Sequence, residues 1–489
     1  MNATAPREQV TAADAALHNM FTRDFLYLVV SALQVLLSTF VTPILTRRLS
    51  PGEYGQLALA ISAMQILGPI LSFGLPFASQ KEFARKNGIR RARGMLAISV
   101  LLAAAALLIV VLAAPAWGPA VGLYQVQDAR LAAVWGACFA LTWTSLAILR
   151  SRENLGLVLV VSTLQSIGAQ AAGLALLYWQ APNLTSYLYG VIIGQGTAAL
   201  VGVIALRPDW SAVAAISRYR RALLFGLPMV PQQLSVFILY AGDRIVVRHD
   251  LGSAATGRYS VAYNVGSLAV VILVFVNQAW MPRIYAVAEQ LARSRLLASS
   301  RDVMNLLLVP VTIGLTAAAP IVLRVWAPQS FDPSGLVWIV GLVAVCTFPY
   351  GQFLANMRAL MSEGRTGRAA VTTLIAAMVN VGLNIAMVPF LGITGSALAT
   401  VLSYALLAWL TRPSAISGLE VPGVPPLLGL VIGAGVAATL LMAALPATHV
   451  WLVVRLAVCA AAIFGFFFLL RQSGVIPRYG VQPVGRHRL

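Results

Sequence analysis

Long apolar stretches broken by short polar ones run through nearly the whole chain. A spanning helix needs about 20 mostly apolar residues, at ~1.5 Å of rise each across a hydrocarbon core of roughly 30 Å. Stretches of that kind lie at 25–46, 55–76, 94–117, 131–149, 155–179, 184–206, 222–241, 257–281, 303–325, 334–356, 369–390, 394–411, 424–445 and 450–470. The pattern predicts an all-α integral membrane protein with about fourteen transmembrane helices. The loops between them are too short to hold a domain of substantial size outside the bilayer.

The pattern also repeats. Gly52-Glu53-Tyr54-Gly55-Gln56-Leu57-Ala58 opens the second stretch, and Gly257-Arg258-Tyr259-Ser260-Val261-Ala262-Tyr263 opens the eighth, 205 positions on. Pro76 and Pro282, 206 apart, mark the expected ends of those two stretches. Six helices separate the copies, so both run the same way across the membrane, as in a parallel-repeat transporter. The expected organisation is an N-terminal segment 1–24, a first six-helix lobe 25–206 and a linker 207–221. A second six-helix lobe at 222–411, two further helices within 412–471 and a basic tail 472–489 follow. Proline and glycine inside several stretches (Pro43, Gly68-Pro69, Pro231, Pro310, Pro349) predict kinks that neighbouring helices must satisfy.

Composition sharpens this picture. Hydrophobic residues make up 59% of the 489 positions and charged ones only 10%, where a soluble domain carries about 25% charged residues. The net charge of +19 comes almost wholly from arginine, with Lys81 and Lys86 as the only lysines. A nucleic-acid reading fails because the arginines sit in short loops beside apolar runs. With the N-terminus inside, the inner segments hold 26 Lys and Arg and the outer loops 7. That excess places both termini on the cytoplasmic side of the membrane. No cleavable signal peptide is read, since polar residues fill the first 24 positions and the next run is long enough to span.

Catalytic material is scarce. The four histidines, His18, His249, His449 and His487, lie in loops or tails, and no GxxxxGK[ST] phosphate loop is present. Cys138, Cys346 and Cys459 each sit in an apolar run, without a metal-ligand spacing. The expectation is a transporter, not an enzyme, with no cofactor and no metal. Informative residues are instead the charges and amides at membrane depth, each costly unless it faces a cavity or a partner. The cavity candidates are Arg23, Asp24, Arg48, Arg150, Asp243, Arg244, Asn264, Gln278, Arg283, Asn380 and Asn384. For the amides, hydrogen bonds that glue helices together compete with cavity lining. For Asp243-Arg244 the competing reading is a structural ion pair. A cavity of positive fixed charge suits an anionic substrate, and arginine's planar fork suits phosphate.

Phe225-Gly226-Leu227-Pro228, Ala241-Gly242-Asp243-Arg244-Ile245 and Gly257 to Tyr263, in that order, resemble bacterial polysaccharide flippases of the Wzx type. These belong to the multidrug/oligosaccharidyl-lipid/polysaccharide exporter superfamily. Arg48-Leu49-Ser50-Pro51-Gly52-Glu53-Tyr54-Gly55 and Asn380, Asn384 with Gly392 to Thr400 resemble the same family, so the likeness runs from about 20 to 410. The loop residues Arg248, His249 and Asp250 depart from it, being more polar. The resemblance implies two six-helix lobes plus two C-terminal helices. It also implies movement of an undecaprenyl-diphosphate-linked oligosaccharide to the outer leaflet, for O-antigen, lipopolysaccharide or exopolysaccharide assembly. A polymerase and glycosyltransferases are the expected partners, beside membrane lipid. The energy source is open: a proton or sodium gradient is the candidate, with Asp24 and Asp243 the carboxylates to test. A drug or cation antiporter of the same superfamily, a peptidoglycan-precursor flippase and a membrane glycan polymerase are the competing functions. The antiporter reading is disfavoured because no acid falls at the centre of a predicted helix.

Overall fold

Local signals start the helices where the chain leaves water. In the computed structural model, which describes residues 40–271, 273, 277, 284, 289–362, 366–413, 421–446 and 449–472, Ser50 forms a capping box. Its hydroxyl accepts from the Glu53 amide at 3.2 Å, and its own amide donates to the Glu53 carboxylate at 2.9 Å. Such a cap contributes about 1 kcal/mol. Asn154 and Asn183 act likewise, accepting from Leu157 N and Ser186 N.

The helices are α1 (40–48), α2 (Pro51–Ser72), α3 (Leu75–Phe83), α4 (Gly88–Leu112), α5 (Ala114–Ala120), α6 (Val126–Ser151), α7 (Leu155–Thr163), α8 (Ala169–Trp179), α9 (Leu184–Leu206), α10 (Ser211–Ala214), α11 (Arg220–Gly226), α12 (Met229–Ala241), α13 (Asp243–Gly266), α14 (Gln290–Trp326), α15 (Val337–Ser362), α16 (Thr366–Leu391), α17 (Ile393–Leu410), α18 (Pro426–Ala444) and α19 (His449–Gln472). A π-helical turn, Leu164–Gly168, joins α7 to α8 into one span. No strand occurs among the described residues.

Twelve helical stretches among the described residues are long and apolar enough to cross a membrane. They correspond to the expected spans two to six, one stretch Ile216–Val271 covering seven and eight, and spans nine to fourteen. The first expected span lies outside the described residues except for its end. At 25 residues, α4 reaches roughly 37 Å, enough to cross with some tilt.

The chain divides into two compact units, Met1–Ile245 and Val246–Leu489. In the first, α6 packs against α2, α4 and α9, and α12 packs against α2. The contact of α8 with α9 is close because small residues line it. A Cβ on Gly194 would lie 2.4 Å from Ala169 Cα, and one on Gly190 2.2 Å from Ala172 O. Lipid gives no hydrophobic drive for helix association, so close approach of small residues substitutes for it. In the second unit, the 37-residue α14 is the common partner of α15, α18 and α19. Its core joins Leu297, Met304, Leu307 and Leu308 to Leu273, Ile284, Phe348 and Ala359. The outer face of α19 is apolar and open, with Phe464 and Val450 each 75% exposed.

Two expected features change. Pro76 does not end the second span: the helix breaks at Phe73 (φ 50°) and Gly74 (φ 68°), and Pro76 opens α3. A proline in the first helical turn costs no hydrogen bond, which is why it starts a helix better than it stops one. The fourth span begins at Val126, five residues earlier than read, which brings Asp128 inside the helix, where it is buried.

Candidate functional site

Asp243 and Arg244 occupy the corner between α12 and α13, both buried. Their side chains pair at 3.1 Å. The Asp243 carboxylate also accepts from the Arg244 backbone N–H at 2.8 Å, and Arg244 Nη1 donates to the Tyr240 carbonyl at 2.8 Å. The Asp243 carboxylate sits at the start of α13, and the Arg244 guanidinium reaches back to a carbonyl in the last turn of α12, so each charge meets a helix end of opposite polarity. The arginine guanidinium lies 5.8 Å from the Tyr240 ring centroid. The two charges are adjacent where an apolar run stops.

Asn380 and Asn384 make hydrogen bonds within and between two helices of the second unit. Asn380 on α16 is fully buried, and its Nδ2 donates to Ser403 Oγ on α17 at 3.2 Å. Asn384, one turn on, donates to the Asn380 carbonyl at 2.9 Å and accepts from Ser396 Oγ at 2.7 Å. Each of these contacts joins or braces α16 and α17. Asn264 is half-buried on α13.

The arginine candidates separate. Arg48 is exposed at the end of α1, stacked 4.3 Å from the Tyr178 ring of α8, so a cation–π contact ties two helix ends of the first unit. Arg150 is exposed in the last turn of α6, where a cation complements the helix dipole. Arg23, Asp24, Gln278 and Arg283 lie outside the described residues. The structure therefore brings Asp243 to Arg244 and Asn380 to Asn384, and leaves Arg48 and Arg150 apart from either pair in their contacts.

Several buried charges were not among the sequence candidates. Glu82, 1% exposed, pairs with Arg91 and with Arg85. Asp128 is 3% exposed, and its Oδ1 has no hydrogen-bond partner among the described residues. Arg358 on α15 is 1% exposed; its Nη2 contacts Met304 Sδ at 3.2 Å, while Nε and Nη1 have no partner among the described residues. Arg455 on α19, also 1% exposed, donates to Thr316 O at 3.2 Å and Leu445 O at 2.6 Å. The signal available for these was position: each lies within about two turns of a helix end, where a sequence reading assigns it to a loop or to snorkelling. Among the described residues no group of three or more His, Cys, Asp or Glu could hold a metal ion.

Comparison with known proteins gives the frame. Residues 21–287, more than half of the chain, match the polysaccharide biosynthesis protein family. A curated relative, the probable flippase AglR of Haloferax volcanii, is 24% identical over 337 residues, covering 66% of this chain and 69% of its own. Among solved structures, the lipid II flippase MurJ in an inward closed conformation superposes with a TM-score of 0.70. It is 12% identical and covers 92% of this chain and 99% of its own. An inward-facing multidrug resistance MATE family transporter of the MOP superfamily gives 0.66, at 16% identity over 79% of this chain and 95% of its own. The structural likenesses fix the fold as that of the MOP transporters, and the sequence match shows that the chain belongs to the polysaccharide biosynthesis protein family.

Proposed function

We propose that this protein is a flippase. It carries a polyprenyl-diphosphate-linked oligosaccharide repeat unit from the inner to the outer leaflet of the cytoplasmic membrane by alternating access, for surface polysaccharide assembly. The observation that carries this reading is the family match over 21–287, in a chain whose described residues hold twelve apolar crossing helices. The charge of the chain agrees with it. A sugar-diphosphate headgroup is too polar to cross hydrocarbon unaided, and a protein with 34 basic against 15 acidic residues offers an anion a favourable field. The probable flippase named among the relatives supports the same class of cargo-moving activity. Both termini lie in the cytoplasm under this reading, and a proton or sodium gradient supplies the energy. A polymerase and glycosyltransferases work on either side of the step.

The test uses a strain lacking this gene. Its lipid-linked oligosaccharides are extracted and assigned to a leaflet, beside a measurement of surface polysaccharide. Accumulation on the inner leaflet with loss of surface glycan is the expected result. Normal leaflet distribution and normal surface glycan, with no second transporter present, would sink the proposal and favour a small-molecule antiporter. Accumulation of peptidoglycan precursor instead would move the cargo to that lipid.

A further inference from the structure

The segment after α9 is not a free linker. Its backbone and side chains are fastened to the end of α3 and the first turns of α4, more than a hundred residues earlier. The Asp209 amide donates to the Arg93 carbonyl at 3.1 Å, and Arg93 Nε donates to the Arg207 carbonyl. Arg90 pairs with Asp209 at 3.2 Å. The Arg91 guanidinium lies 5.6 Å from the Tyr219 ring, and Lys81 Nζ 3.7 Å from the Phe225 ring. Beneath them Ala212 and Ala222 join a buried cluster with Leu75, Ala78, Met95 and Ile98. Gly94 leaves room for the Tyr219 hydroxyl, which would sit 2.3 Å from a Cβ there. Stretches 81–94 and 207–226 therefore make one surface of the first unit.

The charges on that surface do not balance. Its two acids are both engaged: Glu82 by Arg91 and Arg85, and Asp209 by Arg90 and the Ser211 hydroxyl. Lys86, Arg207, Arg218, Arg220 and Arg221 are all exposed, and none of their side chains meets a carboxylate among the described residues. Between these cations stand exposed apolar side chains, Trp210 at 56%, Leu224 at 56% and Ile216 at 39%. The surface also has a fixed height. It is bounded by the start of α4 at Gly88 and the end of α9 at Leu206, both helices that cross the membrane. Cations and apolar groups mixed at the end of the hydrocarbon match the phosphate and upper acyl layers of a lipid leaflet.

We propose that this surface is a docking site for the phosphates of anionic phospholipids in the leaflet it faces, the cytoplasmic one by the charge distribution. Arg218, Arg220 and Arg221 take the phosphates, since a guanidinium can offer two parallel N–H bonds to one phosphate. Trp210, Ile216 and Leu224 enter the acyl layer beside them. The cargo of a flippase also carries phosphate, so the experiment separates the two sources.

Purified full-length protein in neutral detergent is heated with added phosphatidylglycerol, with phosphatidylcholine, or with undecaprenyl diphosphate. The unfolding midpoint is read for the wild type, for Arg218→Gln/Arg220→Gln/Arg221→Gln, and for a control pair at two other helix ends, Arg130→Gln/Arg324→Gln. Phosphatidylglycerol is expected to raise the wild-type and control midpoints by several degrees, and phosphatidylcholine to leave them in place. The triple variant should lose at least half of that shift, and high salt should remove it, because screening shortens to about 3 Å at 1 M. An equal shift in the triple variant, or an equal shift from phosphatidylcholine, overturns the proposal. Stabilisation by undecaprenyl diphosphate alone, lost in the triple variant, also overturns it and gives the surface to the cargo. If the triple variant does not fold, hydrogen exchange of the wild type in bilayer discs decides. Amides of 207–226 should be slower in phosphatidylglycerol than in phosphatidylcholine, and equal rates overturn the proposal.

Discussion

The two units differ in how far their buried charges are paired. In the first, the buried ions come mostly in opposite pairs: Glu82 with Arg91 and Arg85, and Asp243 with Arg244. In the second, Arg301 pairs with the adjacent Asp302, but Arg358 and Arg455 are buried more deeply still and among the described residues neither meets a carboxylate. Arg455 uses a substitute. Leu445, whose carbonyl it holds, caps the C-terminal end of α18, where unsatisfied carbonyls carry partial negative charge. Among the described residues Arg358 has only a methionine sulfur, a weak acceptor. A buried cation can thus be neutralised by an acid, eased by a helix end, or left nearly bare. The three cases differ in what happens when one member is removed.

Four substitutions or conditions test that contrast. The largest effect is expected for Asp243→Ala, which removes the carboxylate paired with the Arg244 guanidinium; breaking a buried pair costs about 3–5 kcal/mol. The unfolding midpoint of the purified protein should fall accordingly. Should transport fall while the midpoint holds, the pair works on cargo or coupling rather than on folding. Next, Arg455→Met removes two charge-assisted hydrogen bonds and also removes a desolvated ion. A net loss of about 1–2 kcal/mol is expected, and a neutral result would mean the helix-end carbonyl contributes little.

Arg358→Met should change stability in the opposite direction, by about +1 kcal/mol, because an apolar side chain of similar length replaces an ion whose donors are mostly unmet. A clear loss in the same denaturation assay would reveal an anionic partner for this arginine. The smallest effect concerns Asp209 on the docked segment. The Ser211 hydroxyl first, then Arg90, hold its carboxyl below the usual range. Its folded value is the lower one, so the contribution is full above the unfolded value near 3.9 and is lost as pH falls through the folded one. Exchange of the 207–226 amides should therefore rise below about pH 4 relative to a fully intact neighbour such as α9. Asp209→Asn should abolish that pH dependence, and solvent exposure keeps the whole effect small.

Much of the fold was legible before any coordinates. An apolar run of about 20 residues has only one environment that satisfies both its side chains and its backbone, a helix in lipid. Asp243-Arg244 was legible as well, since adjacent charges at the end of such a run have few other partners. The roles of the remaining polar residues were not. Gln195 meets Thr142, Arg301 meets the Pro422 and Gly423 carbonyls, and Arg455 meets Thr316, separations of 53 to 139 positions. No local pattern encodes such pairs. The partners of Asn380 and Asn384 likewise waited on where α17 placed Ser396 and Ser403.

The tetrapeptide Phe-Gly-Leu-Pro marks the boundary between the two kinds of information, because it occurs twice. At 73–76 it breaks the helix, with Phe73 and Gly74 both left-handed. At 225–228 Leu227 and Pro228 keep right-handed helical angles, and the chain only kinks between α11 and α12. The two copies touch: a Cβ on Gly74 would lie 1.9 Å from the Gly226 carbonyl oxygen. By itself the sequence determined that both places are weak points in a helix, through the missing Cβ and the missing proline N–H. Which copy opened was decided only by tertiary packing, since one glycine had to turn aside for the two backbones to meet that closely.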